Sequence, residues 1–195
     1  MFDPQDNKIH FINIASDDLS LFDWKPPRSF KSFLLDLNIV KKNEINDIFF
    51  HINKGNMKIV YIRKNNLIYT AGASKEIQYQ ILEAMLEYLD QRFNEIYDVN
   101  TILSYGNTNA AIFKAFKSEV EEMFENFKEL DLIKKVSVFC RGCNKTLPLF
   151  IKKSVINTAT SFPVPIVYNH SGHAIVCYVD KNFVVRGVEL VNITG

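Results

Sequence analysis

With 195 residues, 47% of them apolar and 13% aromatic, and only seven glycines and six prolines, the chain has the composition of a folded globular protein with room for one or two domains, which excludes a disordered chain. Net charge is +1, but from residue 133 onward eight Lys and Arg face two acidic residues, so the tail carries +6 and the remainder −5. No apolar run approaches the roughly 20 residues that span a bilayer, and "MFDPQDNK" lacks the basic start and apolar core of a signal peptide, so a cytoplasmic, reducing setting is expected.

Along the chain, "KIHFINIA" and "LSLFDW" are short strands joined by "SDD", a hairpin signal. Pro26 and Pro27 break the pattern. Phe30, Phe33, Leu34, Leu37 and Val40 then recur at helical spacing and predict an amphipathic helix over 29–47. Three strands follow, "IFFHI", "MKIVYIRK" and "NLIYTAG", separated by the turn sequences "NKGN" and "KNN". The sheet expected is a five-strand meander interrupted by one helix after its second strand.

Ser74 is the expected N-cap of the next helix, with a stripe of Ile77, Ile81, Leu82, Met85, Leu86, Leu89 and Phe93 one face wide. A further helix is predicted from the "NTN" caps at 107–109, burying Ile112, Phe113, Phe116, Val120, Met123, Phe124 and Phe127. Both stripes read as core, with their helices on one face of an antiparallel sheet, an α+β arrangement. Trp24 reads as a cover for the end of a small core or as an exposed anchor for a partner. His10 and His51 are isolated within strand patterns.

The tail carries the most specific chemistry. Cys140-Arg-Gly-Cys143 and His170-Ser-Gly-His173 share one spacing, with glycine at the same third place. Strand-like residues flank both, the pattern of two β-hairpins that each present a ligand pair at the tip. Thiolate and imidazole donors together select Zn2+ over calcium or magnesium. Four protein ligands leave no position for a substrate water, so the site expected is structural. A redox Cys pair, a disulfide, a metal-dependent hydrolase and chance coincidence are the competing readings; the odd cysteine count speaks against disulfides, and no Asp or Glu accompanies either pair to act as a general base. Cys177 reads as a small buried apolar residue. Asp180, Lys181 and Asn182 form the expected turn of a last hairpin, and Arg186-Gly187 marks a bulge. The lysine pairs at 134 and 152 read as solvated strand ends or as an attraction for an anionic partner.

The order strand-strand-helix-strand-strand-strand-helix-helix, together with "MKIVYIRKNNLIYTAGASKEIQYQILEAMLEYLDQRFNEIYDVN", resembles the longin-like domains of clathrin-adaptor small subunits and medium-chain N-termini. The likeness covers roughly residues 8–127, in detail 57–99. At "YDVNTILSYGNTNA" the chain departs from the connection usual in that family. The resemblance implies a binding module that docks a small GTPase or a related longin-like chain, pairs with itself, or holds a peptide, and that catalyses nothing. No phosphate-cradling or nucleophile-elbow motif is present in the sequence.

The domains expected are therefore a longin-like domain over 1–130 and a zinc-ribbon-like β module over 131–195. The function expected is a non-enzymatic adaptor or scaffold in a trafficking- or signalling-like assembly, with peripheral membrane association open to it. The alternative is a basic ribbon that binds nucleic acid while the N-terminal domain dimerises it. The tail's charge favours this alternative, and the scarcity of interleaved aromatic and basic residues on its strands speaks against it.

Overall fold

The computed structural model of the chain describes residues 8–27, 45–104, 109–170 and 172–191, with residue 173 described in its backbone alone. The chain divides into two compact units, 1–130 and 131–195. The architecture is α+β: a five-stranded antiparallel sheet, a three-stranded and a two-stranded sheet, and four α-helices among the described residues.

In the first unit β1 (Ile9–Ala15), β2 (Ser20–Trp24), β3 (Phe49–Lys54), β4 (Met57–Lys64) and β5 (Leu67–Ser74) pair in the order β2-β1-β5-β4-β3. This is not the meander expected, because β1 rather than β2 lies beside the later strands. The reason is burial. β1, β4 and β5 carry apolar side chains on both faces and take the inner places; β2 and β3, with exposed Asp23, His51, Asn53 and Lys54, tolerate the edges. The β3–β4 and β4–β5 turns use left-handed residues where the sequence supplies them, Gly55 (φ 59°) and Asn65 (φ 52°).

Helix α1 (Tyr79–Ile96) buries Ile81, Leu82, Met85, Leu86, Leu89 and Phe93. A buried side chain of this size contributes about 2 kcal/mol, so the stripe is the main apolar attachment of the helix. Polar clips add direction: Lys64 Nζ bonds Asp90 at 2.8 Å, and Asn94 donates to the Tyr69 hydroxyl. Ser74 does not cap α1. It closes β5, its amide donates to Lys8 O and its hydroxyl meets His10 Nε2, so the strand keeps it and the helix starts after Gln78.

Beyond α1 come a short helix α2 (Val99–Ser104), a 3-10 turn (Ala110–Ala115) and α3 (Phe116–Glu125). Asn109 caps the 3-10 turn by accepting from Ala111 N, while positions 107 and 108 lie outside the described residues; of the helix expected over 29–47, positions 29–44 lie outside them too, and 45–47 are not helical. Phe113, Phe116, Val120, Met123, Phe124 and Phe127 are buried, but Ile112 is 46% exposed. Ile112 shifts outward because the segment around it is 3-10 rather than α, which changes the angular step per residue. Trp24 belongs to the core: it is 8% exposed and packs on Phe124 at 4.8 Å, so the partner-anchor reading falls. Among the described residues no helix is long and apolar enough to cross a membrane.

The second unit is built from hairpins. β6 (Ile133–Cys140) pairs with β7 (Lys145–Lys152), and after α4 (Lys153–Asn157) the strands β8 (Val164–His170), β9 (His173–Val179) and β10 (Val185–Val191) form a meander. Its core contains Val138, Cys140, Leu149, Ile151, Ile166, Ile175 and Cys177. Asp180 Oδ1 accepts from Asn182 N and Val184 N in the β9–β10 turn, and the register slips between Val185 and Gly187 at the bulge. Lys134 is exposed, whereas Lys152, the last residue of β7 and the N-cap of α4, is 4% exposed and so is not a solvated strand end.

Candidate metal centre

Cys140 ends β6 and pairs in register with Lys145, so the four-residue turn 141–144 carries Cys143 back over the end of the ribbon. The left-handed residue of this turn is Asn144 (φ 56°), a residue type that tolerates the conformation. Gly142 serves the site through its amide, which with the amide of Cys143 is directed at the Cys140 sulfur. The N–H of Cys143 is the main reason the Cys140 thiol is held below its ordinary range, with Gly142 N–H and the Cys143 side chain adding to it against burial. Cys143 goes the other way: burial raises it first, then the neighbouring Cys140, while the amide and charge of Lys145 oppose both. Without a cation between them, the two sulfurs cannot both be thiolates cheaply.

The second hairpin brings His170. Its tip uses Gly172 at φ 78°, open space around the missing Cβ, so the requirement there is backbone conformation alone. Cys143 Sγ and His170 Nε2 are 2.9 Å apart, although 27 positions separate them in the chain. The ring of Tyr168, two positions back on the same strand, lies parallel to that of His170 within 5°, with the ring centres 6.3 Å apart.

One donor atom each from Cys140, Cys143 and His170 lies within 4.8 Å of the others, so the three could hold a metal ion. Backbone register places position 173 directly across from position 170, and the side chain of His173 lies outside the described residues. Cys177 does not belong to the group. It is fully buried, and burial pushes its thiol up to about 11, which keeps it protonated and apolar in character.

The donor set fits a borderline-soft cation. Zn–S bonds of about 2.3 Å and Zn–N bonds of about 2.0 to 2.1 Å would set a tetrahedral S···N distance of roughly 3.5 Å, so the 2.9 Å pair would have to open slightly to admit such an ion. No carboxylate is among these donors, and the sequence contains no Asp or Glu from 132 to 179.

Sequence reasoning passed over one polar cluster in the first unit. His51 Nε2 lies 2.9 Å from Glu83 Oε1 and its ring stacks on Tyr79 at 4.1 Å, over which Lys58 Nζ sits at 4.6 Å. This clips edge strand β3 to α1; only the alternation that turns His51 toward the helix could have signalled it.

No protein-family model matches the chain, and no curated protein matches it.

Proposed function

We propose that residues 131–195 are a zinc-ribbon-like module holding one structural Zn2+ through Cys140, Cys143, His170 and His173, and that the chain works as a non-enzymatic adaptor or scaffold. The observation that carries this is the convergence of three sulfur and nitrogen donors from two hairpin tips. A unit of 65 residues has only a marginal core of its own, and a structural zinc ion supplies folding free energy on the order of 10 kcal/mol in small metal-dependent domains. The absence of any acidic residue in 132–179 deprives the ion of a nearby carboxylate base, which favours a structural ion over a hydrolytic one.

The first unit is proposed as longin-like. Support comes from its element order, two strands followed later by three strands and then helices, on a single five-stranded antiparallel sheet. In this reading its partner is a small GTPase, another longin-like chain or a second copy of itself. Affinity capture with the full chain tests it, using small GTPases loaded with GDP or a GTP analogue and sedimentation to detect self-association. Nucleotide-dependent retention of a GTPase, or a stable dimer, is the expected result; a strictly monomeric chain that retains none contradicts the adaptor role.

A further inference from the structure

Between residues 132 and 179 the chain has six Lys and Arg and no acidic residue at all. Two of the six are accounted for locally: Lys153 pairs with Asp131, and Lys152 is buried. The other four, Lys134, Lys135, Arg141 and Lys145, are exposed on the β6–β7 ribbon and its tip. A tetrahedral Zn2+ with two thiolates and two neutral imidazoles carries no net charge, so the metal would leave this positive field intact.

The pleat adds what the linear sequence hides. Along β6, Val138 and Cys140 turn inward, and Lys135, Ser137 and Phe139 turn outward, with Phe139 49% exposed. Directly across the ribbon Phe139 meets Thr146, and Ser137 meets Pro148. The outward row therefore holds an exposed ring, Phe139, and a half-buried one, Phe150, directly across from Lys135, with Lys135 four positions before Phe139 and Arg141 two positions after it at the tip. A surface that inserts into lipid, or that packs an apolar protein face, would gather several apolar side chains around the ring. Next to Phe139 stand Ser137, Thr146 and the tip residues Arg141 and Asn144, while Pro148 and half-buried Phe150 lie farther along the face beside Lys135. An aromatic platform bordered by cations suits a chain of stackable bases joined by phosphates.

We propose that the outer face of the β6–β7 ribbon binds single-stranded nucleic acid, a base stacking on Phe139 while Lys135 and, at the tip, Arg141 contact the phosphates. The proposal goes beyond the scaffold role and rests on the metal only in so far as the metal holds the hairpin's shape.

The test is fluorescence anisotropy of the full chain with labelled oligothymidylate and oligouridylate, against a duplex of mixed sequence and against vesicles of phosphatidylserine and phosphatidylcholine. Two phosphate contacts predict a roughly sevenfold loss of affinity between about 50 and about 200 mM salt. Phe139→Ala is expected to weaken single-strand binding at least about tenfold, with Phe139→Tyr restoring it, and Lys135→Ala with Arg141→Ala to flatten the salt dependence. Metal content and circular dichroism of each variant show that the ribbon is intact. Equal binding by Phe139→Ala, preference for duplex, or binding to the vesicles in place of the oligonucleotides would overturn the proposal. A chain that lacks metal yet binds oligonucleotide through Phe139 would sink the zinc site alone, and one that holds zinc but ignores oligonucleotides would sink this surface alone.

Discussion

Cys143 Sγ and His170 Nε2 lie 2.9 Å apart at the tips of two different hairpins. Nothing local requires it: each hairpin closes through its own register, Cys140 with Lys145 and His170 with His173. What brings the tips together is the shared core of Val138, Leu149, Ile166 and Ile175, and a cation bound at the tips would lock that arrangement from its outer end.

Cys177 separates metal binding from packing. Its thiol is buried among apolar side chains and pushed up to about 11, so it serves as volume. Cys177→Ala is expected to lower stability by about 1 kcal/mol. Cys177→Ser should cost more, about 2 kcal/mol, because it buries a hydroxyl. Metal equivalents, measured by atomic emission, should be the same in both variants as in the parent chain.

In the first unit Gly72 lies under the ring of Phe11. A Cβ at residue 72 would stand 2.1 Å from Phe11 Cε1 and 2.6 Å from Cδ1. Gly72→Ala should therefore destabilise by about 3 kcal/mol, and a second change, Phe11→Leu, should recover part of the loss. Denaturant unfolding of the single and double variants checks this, since independent sites would give additive losses instead.

Trp24 buries an indole whose Nε1–H has no hydrogen-bond partner among the described residues. Removing the ring altogether should cost about 3 to 5 kcal/mol, as Trp24→Ala. Trp24→Phe keeps a ring against Phe124 and deletes the orphan donor, so its cost should stay within about 1.5 kcal/mol. Equal losses in the two variants on thermal unfolding would contradict this.

Asp98 supplies a pH dependence. Thr101 Oγ1 donates to one carboxylate oxygen at 2.7 Å and Thr101 N to the other at 3.2 Å, and these two bonds hold the carboxyl below its ordinary range. A folded-state pKa that is depressed contributes stability present above the unfolded value, near 3.9, and lost as pH falls through the folded one. Asp98→Ala should melt below the parent at neutral pH, and the gap should narrow as the solution is acidified below about pH 4. A gap independent of pH would show that the carboxylate charge has no part in it.

Much of this was legible in the residues themselves. The apolar stripe of α1 and the Gly55 and Asn65 turns follow from periodicity and turn chemistry. Sheet order was not, because alternation shows which faces are apolar but not which strand is neighbour to which; the inner place of β1 emerges only when its two apolar faces are compared with exposed Asp23 on β2. Ser74 looked like a cap because its type favours caps, yet the hydrogen bonds to Lys8 and His10 hold it in the strand. At the candidate metal centre the equal spacings marked the cysteine and histidine pairs, of which the structure brings Cys140, Cys143 and His170 together, while the amides directed at Cys140, the left-handed Asn144 and the outward Phe139 depend on the path of the turn and on pairing across it.

The most direct test of the metal centre is elemental analysis of the full chain as purified, beside Cys143→Ser and Cys177→Ala. A structural site predicts about one equivalent of zinc in the parent chain and in Cys177→Ala, and its loss from Cys143→Ser together with loss of the second unit's ordered structure. A parent chain without bound metal whose second unit stays folded in the presence of a chelator would contradict it.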